Sequence, residues 1–496
     1  MTLSRIFMGT DAVRVRPLWA LSFFLLLGAL GAMALTSFSP VHTLLALLAL
    51  LGLFLVPVVL GQGLKKITTL VKSLRWWHGL WLLLFLSEFS FRVRDDRSIG
   101  QGVVDRSAAF RIALVAVTAV VLAARMTLRQ TPWARSLFRG LLGVLTTYVL
   151  VCAVSTVWSV YATWTLYKSL EYLVDLCLLA AILIAVRSVK SYKSLFDWTW
   201  TLYGLLLVSV WVGALVWPQE AFQESKGLIA HELYGVFPMV SSNSVGEFGA
   251  ILAVVALTRL LLRSGEGSNR VLYSLVLTTA LVTLVIAQGR SAVTGLLLGA
   301  PLVLFFSKRV GAATLIVATI LLLCLLGGTE VFSTYFHRGQ DPELFRSLSG
   351  RVDYWQFSWH ELIKRPWTGF GAYTDRFVIL ARLGEGDTSS VHSTYVAALV
   401  GMSVWGVIPI VVALVGVWWF LIRALRRFPY RSMEYGLAVE AVAVLAILTV
   451  RSFFTIHLVW HASEQFLVVL GYAEFLRRRQ EFLAPSMSAG RAVRST

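Results

Sequence analysis

Residues 271–306 read VLYSLVLTTALVTLVIAQGRSAVTGLLLGAPLVLFF, two apolar runs that are separated by the polar tetrapeptide Gln288-Gly289-Arg290-Ser291. Each run comes close to the roughly 20 apolar residues that a helix needs to cross a bilayer core. A guanidinium at a membrane boundary is costly unless it is paired or put to use. The stretch therefore predicts two membrane helices joined by a tight polar break at Arg290.

The composition of the whole chain points the same way. Of its 496 residues, 57% are hydrophobic and 14% are charged, whereas soluble domains carry about 25% charged residues. Lys and Arg outnumber Asp and Glu by 44 to 26, a net charge of +18 that in a soluble protein would favour a nucleic-acid partner. The apolar content excludes that class, so we expect membrane lipids and no nucleic acid as partners.

Apolar runs of membrane length recur along the chain, and they predict an all-α polytopic membrane protein with 12–14 transmembrane helices. The stronger candidates are 17–36, 41–61, 108–125, 139–158, 169–186, 198–217, 243–262, 271–288, 291–306, 310–328 and 435–451. The weaker candidates are 76–91, which is short, 392–423, which is long enough to bend, and 456–475, which contains His457, His461 and Glu464. The sequence thus predicts a single transmembrane domain over 1–484 and a disordered cytoplasmic tail over 485–496.

The basic residues orient this domain. When the spans alternate from a cytoplasmic N-terminus, every loop on the cytoplasmic side is short and basic, as the positive-inside rule requires. Both termini then lie in the cytoplasm, and the excess positive charge faces anionic lipid headgroups. The opposite side carries one large loop, 329–391, in which apolar residues at spacings of three and four predict an amphipathic helix over 351–364 that Pro366 ends.

Three motifs fall on the side of this large loop. They are QGRS at 288–291, SGRVDYW at 349–355 with RPWTGFG at 365–371, and VHSTY at 391–395. In this order and topology they resemble the O-antigen ligase and polymerase superfamily (the WaaL/Wzy type), over roughly residues 240–420. The stretches GVF at 235–237 and SNS at 242–244 add to the resemblance.

The resemblance implies a GT-C-like, inverting, metal-independent glycosyltransferase without a cofactor, which acts at the periplasmic face of the bacterial cytoplasmic membrane. Its donor would be a glycan on undecaprenyl pyrophosphate, and its acceptor a sugar hydroxyl of a glycan or of lipid A–core. By motif, Arg290 and Arg351 match the essential arginines of the family, and His392 matches its essential histidine. These residue types suit the reaction, because arginine binds phosphate bidentately and imidazole accepts a hydroxyl proton.

The residues expected to contact the substrate are Arg451, Asn243, Asp353, Tyr354, Trp355 and Tyr395. Arg451 would add a third phosphate contact, or else anchor its helix at the interface. Asp353 would orient a basic group. The aromatic residues would stack on sugar rings, or else belong to the aromatic belt of the membrane surface.

Several alternatives stay open at this point. Ligases of the family commonly have Asn after the histidine, where this chain has Ser393, so a polymerase with the same donor stands beside a ligase that acts on lipid A–core. An enzyme that glycosylates proteins would share the donor chemistry as well. A lipid-linked oligosaccharide transporter fits less well, because the sequence shows no internal repeat and few charges in the middle of its spans. His457, His461 and Glu464 have a spacing that faintly suggests metal ligands, although polar packing explains it better.

Overall fold

The structure is a computed structural model that describes residues 68, 71–89, 106–129, 133–225, 229–262, 270–325, 334–337, 347–383 and 390–492. All of them lie in one unit of the chain, Gln62–Thr496. The predicted spans 17–36 and 41–61 lie outside the described residues, as do parts of the loop 329–391.

Helices dominate the part of the chain that is described. In chain order they are α1 (Trp76–Glu88), α2 (Arg106–Arg129), α3 (Trp133–Leu137), α4 (Gly140–Val154), α5 (Ala162–Ala185), α6 (Val189–Val216), α7 (Pro218–Ala221), α8 (Ser242–Leu261), α9 (Arg270–Ala287), α10 (Arg290–Phe306), α11 (Val310–Leu325), α12 (Arg351–Lys364), α13 (Asp375–Leu383), α14 (Thr394–Met402), α15 (Val404–Arg427), α16 (Met433–Ser452) and α17 (Glu464–Ala492). A short antiparallel hairpin, β1 (Phe222–Glu224) and β2 (His231–Leu233), lies between α7 and α8.

Seven of the described helices are long and apolar enough to cross a membrane, namely α2, α4, α6, α8, α9, α15 and α16. Each lies where the sequence predicts a span, so the chain is an all-α polytopic membrane protein. Helix α10 is apolar but shorter, at 17 residues. The total of 12–14 spans stays a prediction, because two of the predicted spans are not described.

The amphipathic helix of the large loop is confirmed. Helix α12 runs over Arg351–Lys364, the bounds that the apolar spacing predicts. It begins after Gly350, whose φ of +79° is accessible to glycine at little cost, and it ends before Pro366. Ser358 and Leu362 are buried, whereas Trp359 is exposed although it lies on the same side of the helix as Leu362.

The predicted span 392–423 is two helices in the structure. Ser403, with φ +56°, separates α14 from α15, and its hydroxyl donates a hydrogen bond to the Pro366 carbonyl. Helices α14 and α15 approach each other closely at this break, since a Cβ on Gly406 would lie 2.8 Å from the Ala398 carbonyl oxygen. The predicted bend is therefore a complete break, and it is fixed by contact with the large loop.

The predicted span 456–475 starts later than expected. Turns occupy the chain after α16, and α17 begins only at Glu464. His457 and His461 consequently lie before the helix and do not share a helix face with Glu464. The common face that the sequence spacing suggests is therefore wrong. The physical reason is that the side chains of both histidines hydrogen-bond to distant residues, His457 to Glu247 and His461 to Asp175. A continuous helix would have pointed these side chains in other directions. At its other end α17 is described as far as Ala492, past residue 485 where a disordered tail is predicted.

Two buried ion pairs join α8 to α16. Arg451 lies 2.8 Å from Glu247, and Arg259 lies 2.8 Å from Glu440. Because each pair joins the start of one helix to the end region of the other, the two helices run antiparallel. The charges are reversed between the two pairs, and this fixes the register of the helices.

Helix α10 packs closely on this pair through small residues. A Cβ on Gly295 would lie 3.1 Å from the Cα of Ile447 in α16, and one on Gly299 would lie 3.0 Å from the Ala443 carbonyl oxygen. Small residues at a spacing of four let membrane helices approach each other at backbone distance. The start of α10, where Arg290 lies, is thereby held against the end of α16. Gly289 just before it lies against Gly246 near the start of α8.

The RPWTGFG motif connects the large loop to the helices. Phe370 and Gly371 donate backbone hydrogen bonds to the carbonyls of Val400 and Gly401 at the end of α14. Gly371 has φ +100°, and a Cβ there would clash with the Ser159 side chain. Both its conformation and its surroundings therefore require glycine.

We predict that Gly371→Ala destabilises the folded protein by at least about 1–3 kcal/mol, because alanine would be strained at this φ and would also clash. The melting temperature of the purified protein in detergent measures this effect. The matched control is Gly204→Ala, since Gly204 lies inside α6 and a Cβ added there would meet nothing within 4 Å; it should be neutral or stabilising. Equal melting temperatures for Gly371→Ala and the wild type would contradict the account of this contact.

Candidate active site

The polar break before α10 is held by the β hairpin. Gln288 is fully buried and has φ +51°. Its side-chain amide donates hydrogen bonds of 3.1 Å to the carbonyls of Ile229 and His231. Gln288 therefore anchors the turn that presents Arg290.

Arg290 is the first residue of α10 and is half-buried. Its Nη2 atom donates a 2.5 Å hydrogen bond to the Ser349 hydroxyl, and its Nη1 atom donates one of 3.1 Å to the Phe336 carbonyl. Ser349 belongs to the second motif, two residues before Arg351. The structure thus brings the first two motifs together through a direct contact.

Arg351 is the first residue of α12, next to the left-handed Gly350. The carbon at the centre of its guanidinium lies 5.9 Å from the centre of the Phe454 ring, a cation–π distance. Its charge also acts on the His392 imidazole. Arg351 therefore links the second motif to the third and to the chain after α16.

His392 lies in a strained turn just before α14. Its φ is +51°, and its backbone N–H donates to the Ser390 hydroxyl. The residue before it, Val391, accepts a 2.9 Å hydrogen bond from the Trp355 indole and donates one of 3.1 Å to the buried carboxylate of Asp375. Burial also raises the pKa of Asp375. These two bonds hold the backbone that presents the imidazole.

The electrostatics of His392 are unusual for a histidine. Burial, with a smaller effect from the nearby Arg351 guanidinium, lowers the pKa of His392 to about 4. The imidazole is therefore neutral at pH 7, and its unprotonated nitrogen is able to accept a proton or a hydrogen bond. A bound anion beside Arg351 would offset the positive charge and raise this pKa.

Arg451, predicted to contact phosphate or to anchor a helix, is enclosed by the protein. Its side chain is 1% exposed and donates hydrogen bonds of 2.8 Å to Glu247 and 2.9 Å to the Ser291 hydroxyl. An interfacial anchor would be exposed, so that interpretation does not describe this residue. Ser291 follows Arg290 directly, and Arg451 therefore supports the turn that presents Arg290.

The other predicted contact residues differ in their surroundings. Asp353 is exposed in the first turn of α12, and Tyr354 beside it is half-buried. Asn243 lies in the first turn of α8, with its carbonyl oxygen close to Gly289. The Tyr395 hydroxyl hydrogen-bonds to Ser452 at 3.0 Å. Binding of a substrate by these residues and by Trp355 stays a prediction.

His457, His461 and Glu464 do not form a common ligand set. His457 lies 2.5 Å from Glu247, whereas His461 contacts Asp175 at 3.0 Å. Glu464 accepts a 3.4 Å hydrogen bond from Tyr203. Each of the three thus has a separate partner, as the interpretation of polar packing predicts.

Sequence reasoning missed Glu247 as a member of this region. It is fully buried in α8 and contacts both Arg451 and His457. The available signal was a carboxylate inside an apolar span, which is costly unless it has a partner. What the sequence did not contain was the identity of those partners, which lie more than 200 positions away.

Residues 275–411 match the family model described as O-antigen ligase. This part of the chain is therefore similar to that family, and the match supports the resemblance that the three motifs carry. It includes Arg290, Arg351 and His392, whereas Glu247 and Arg451 lie outside it. No curated protein matches the chain.

We predict that His392 titrates near pH 4 in the purified protein and that Arg351→Gln raises its pKa. The pKa should stay below the usual 6.5, because burial is the larger cause. NMR of histidine-labelled protein in detergent measures the titration, with His392→Gln to assign the signal. Arg365→Gln, which removes an exposed arginine of the same loop, is the control and should leave the titration unchanged. A wild-type pKa at or above 6.5 would refute this description of the site.

Proposed function

We propose that this protein is an inverting, metal-independent glycosyltransferase that acts at the periplasmic face of the cytoplasmic membrane. It transfers an oligo- or polysaccharide from undecaprenyl pyrophosphate to a sugar hydroxyl of the acceptor. The observation that carries the proposal is the convergence of the three motifs: Arg290 of the first donates to Ser349 of the second, and Trp355 of the second donates to the Val391 carbonyl of the third. The match of the central region to the O-antigen ligase family supports the same chemistry.

The arginines suit the leaving group of this reaction. As the glycosidic bond breaks, negative charge grows on the lipid pyrophosphate. A guanidinium stays charged at any physiological pH and offers two parallel hydrogen bonds to a phosphate. Arg290 and Arg351 begin separate helices and are joined through Ser349, so they would bind neighbouring oxygens of one pyrophosphate.

His392 suits the acceptor side. The attacking hydroxyl loses its proton as the new bond forms, and a neutral imidazole is able to take it. Binding of the anionic donor beside Arg351 would raise the pKa of His392 from about 4 toward the working pH. The base would then become stronger only when the donor is in place.

The acceptor is proposed as lipid A–core, which makes the protein a ligase, with polymerisation of lipid-linked repeats as the alternative. Ser393, which differs from the Asn common in ligases, is the N-cap of α14 and accepts from the Val396 N–H. Ser and Asn are both strong N-cap residues. The difference at this position therefore preserves the local structure and does not favour a polymerase.

Analysis of the surface glycans of a deletion strain tests the proposal. Long polymer that is not attached, together with bare lipid A–core, is the result expected for a ligase. Capped but unpolymerised repeats would instead identify a polymerase. Glycans identical to those of the parent strain would refute the proposed function.

Single alanine variants of Arg290, Arg351 and His392 should not restore the glycan in the deletion strain. Loss of one preorganised donor to a developing charge costs roughly 10²–10³ in rate, and loss of the base costs about 10²–10⁴. The initial transfer rate of purified protein with lipid-linked donor measures the effect. Arg187→Ala, at an exposed arginine outside the site, is the control and should be fully active. Full activity of all three variants would contradict the assignment of the site.

Transfer by the wild-type protein should be unchanged in excess EDTA, and added Mg²⁺ should not accelerate it. The reason is that two arginines supply the positive charge that a divalent cation would otherwise bring to a pyrophosphate. The assay compares initial rates with and without the chelator, and Arg187→Ala again serves as a control. Loss of activity that is restored by a metal ion would contradict this prediction.

A further inference from the structure

The end of α16 and the turn that follows it, residues 451–457, contact all three motifs. Arg451 donates to Ser291 of the first motif, and Phe454 packs below Arg351 of the second. For the third motif, Thr394 donates to the Thr455 carbonyl through both its backbone and its hydroxyl, at 3.1 and 2.8 Å.

Both ends of this segment are attached to the same carboxylate. Glu247 accepts a 2.8 Å hydrogen bond from Arg451 at the start of the segment. It also contacts the His457 imidazole Nε2 at 2.5 Å at the end of the segment. Glu247 is fully buried and Arg451 is 1% exposed, whereas the His457 side chain is 20% exposed. A buried carboxylate with two such partners determines where both of them lie.

Each partner continues to one half of the site. Arg451 reaches Ser291, which is adjacent to Arg290. The His457 backbone N–H donates a 3.0 Å hydrogen bond to the Thr394 hydroxyl, two residues from His392. One path thus leads from Glu247 to a phosphate-binding arginine, and the other leads to the base.

We propose that Glu247 is a positioning residue for the transfer reaction, which sets the Arg290 turn through Arg451 and Ser291 and the His392 turn through His457 and Thr394. The inference rests on the proposed function. Its physical basis is that an error of about 1 Å in the placement of reacting groups costs on the order of 10²-fold in rate. Glu247 itself is too deeply buried to contact a substrate.

The competing explanation is that the pair of Glu247 and Arg451 only holds α8 against α16. The same two helices offer a matched control for this explanation. Glu440 is 2% exposed and pairs with Arg259 at 2.8 Å, at the opposite end of the helix pair. Its Oε1 atom also accepts a 2.6 Å hydrogen bond from the Trp200 indole. A buried carboxylate in a similar pair is therefore present far from the motifs.

The first experiment compares Glu247→Gln with Glu440→Gln in purified protein. Both variants remove one buried charge, and both should lower the melting temperature. Only Glu247→Gln should lower kcat, by about 10²-fold, and raise the KM for the lipid-linked donor, whereas Glu440→Gln should keep wild-type values of both. Equal effects of the two variants on kcat and KM would overturn the proposal.

The two paths are tested separately by Ser291→Ala and Thr394→Val, which leave the ion pair intact and stay informative even if Glu247→Gln does not fold. Ser291→Ala should mainly raise the KM for the donor, and Thr394→Val should mainly lower kcat. In the Glu247→Gln background each should add little, because residues on one path are not additive. Full additivity, or single variants with wild-type kinetics, would overturn the proposal.

An activity-free readout separates this inference from the proposed function. In the NMR titration, Glu247→Gln should raise the pKa of His392 above about 4, because a displaced His392 turn would lose part of the burial that lowers this pKa, whereas Glu440→Gln should leave it in place. If the wild type transfers no glycan and the titration still responds, the proposed function fails, whereas the positioning of the His392 turn by Glu247 stands as a structural finding. If the wild type transfers glycan and neither kcat nor the titration responds, the positioning role fails.

Discussion

The buried pair of Arg451 and Glu247 is the constraint on which the candidate site depends. Two opposite charges in an apolar interior are expensive to bury, and they stay there only with good geometry and further hydrogen bonds. Arg451 meets this requirement with Ser291, and Glu247 meets it with His457. The partners that make the pair tolerable are therefore the same contacts that connect three separate parts of the chain.

The second pair, Arg259 and Glu440, gives the helix bundle its order. With the charges reversed at the two ends of α8 and α16, a parallel arrangement or a shifted register would separate both pairs and leave the fully buried Glu247 without Arg451. The glycines of α10 then allow that helix to pack against both. In this part of the fold, the charged pairs thus set the register of α8 and α16. The glycines of α10 set the short distance between that helix and its neighbours.

The local sequence pattern was sufficient to predict those features of the fold that depend on residues close together in the chain. It predicted the bounds of α12 and the spans of α8, α9 and α16, because hydropathy and helix periodicity are properties of a short stretch. It also marked Arg290 as a polar break, whereas Arg351 and His392 were marked by the resemblance to the O-antigen ligase and polymerase superfamily; the contact of Arg290 with Ser349 joins two of the three motifs. It could not show that Glu247 pairs with His457, nor that Ser403 breaks a helix against Pro366, because those contacts join distant positions.

Helix α12 carries Arg351 at its first residue and, one turn later, Trp355, whose indole holds the backbone beside His392. The backbone beside the proposed base thus depends on the same helix that carries one of the proposed phosphate-binding arginines, whereas Arg290 begins a different helix. A displacement of α12 would therefore disturb Arg351 and the backbone of His392 together, and not one without the other.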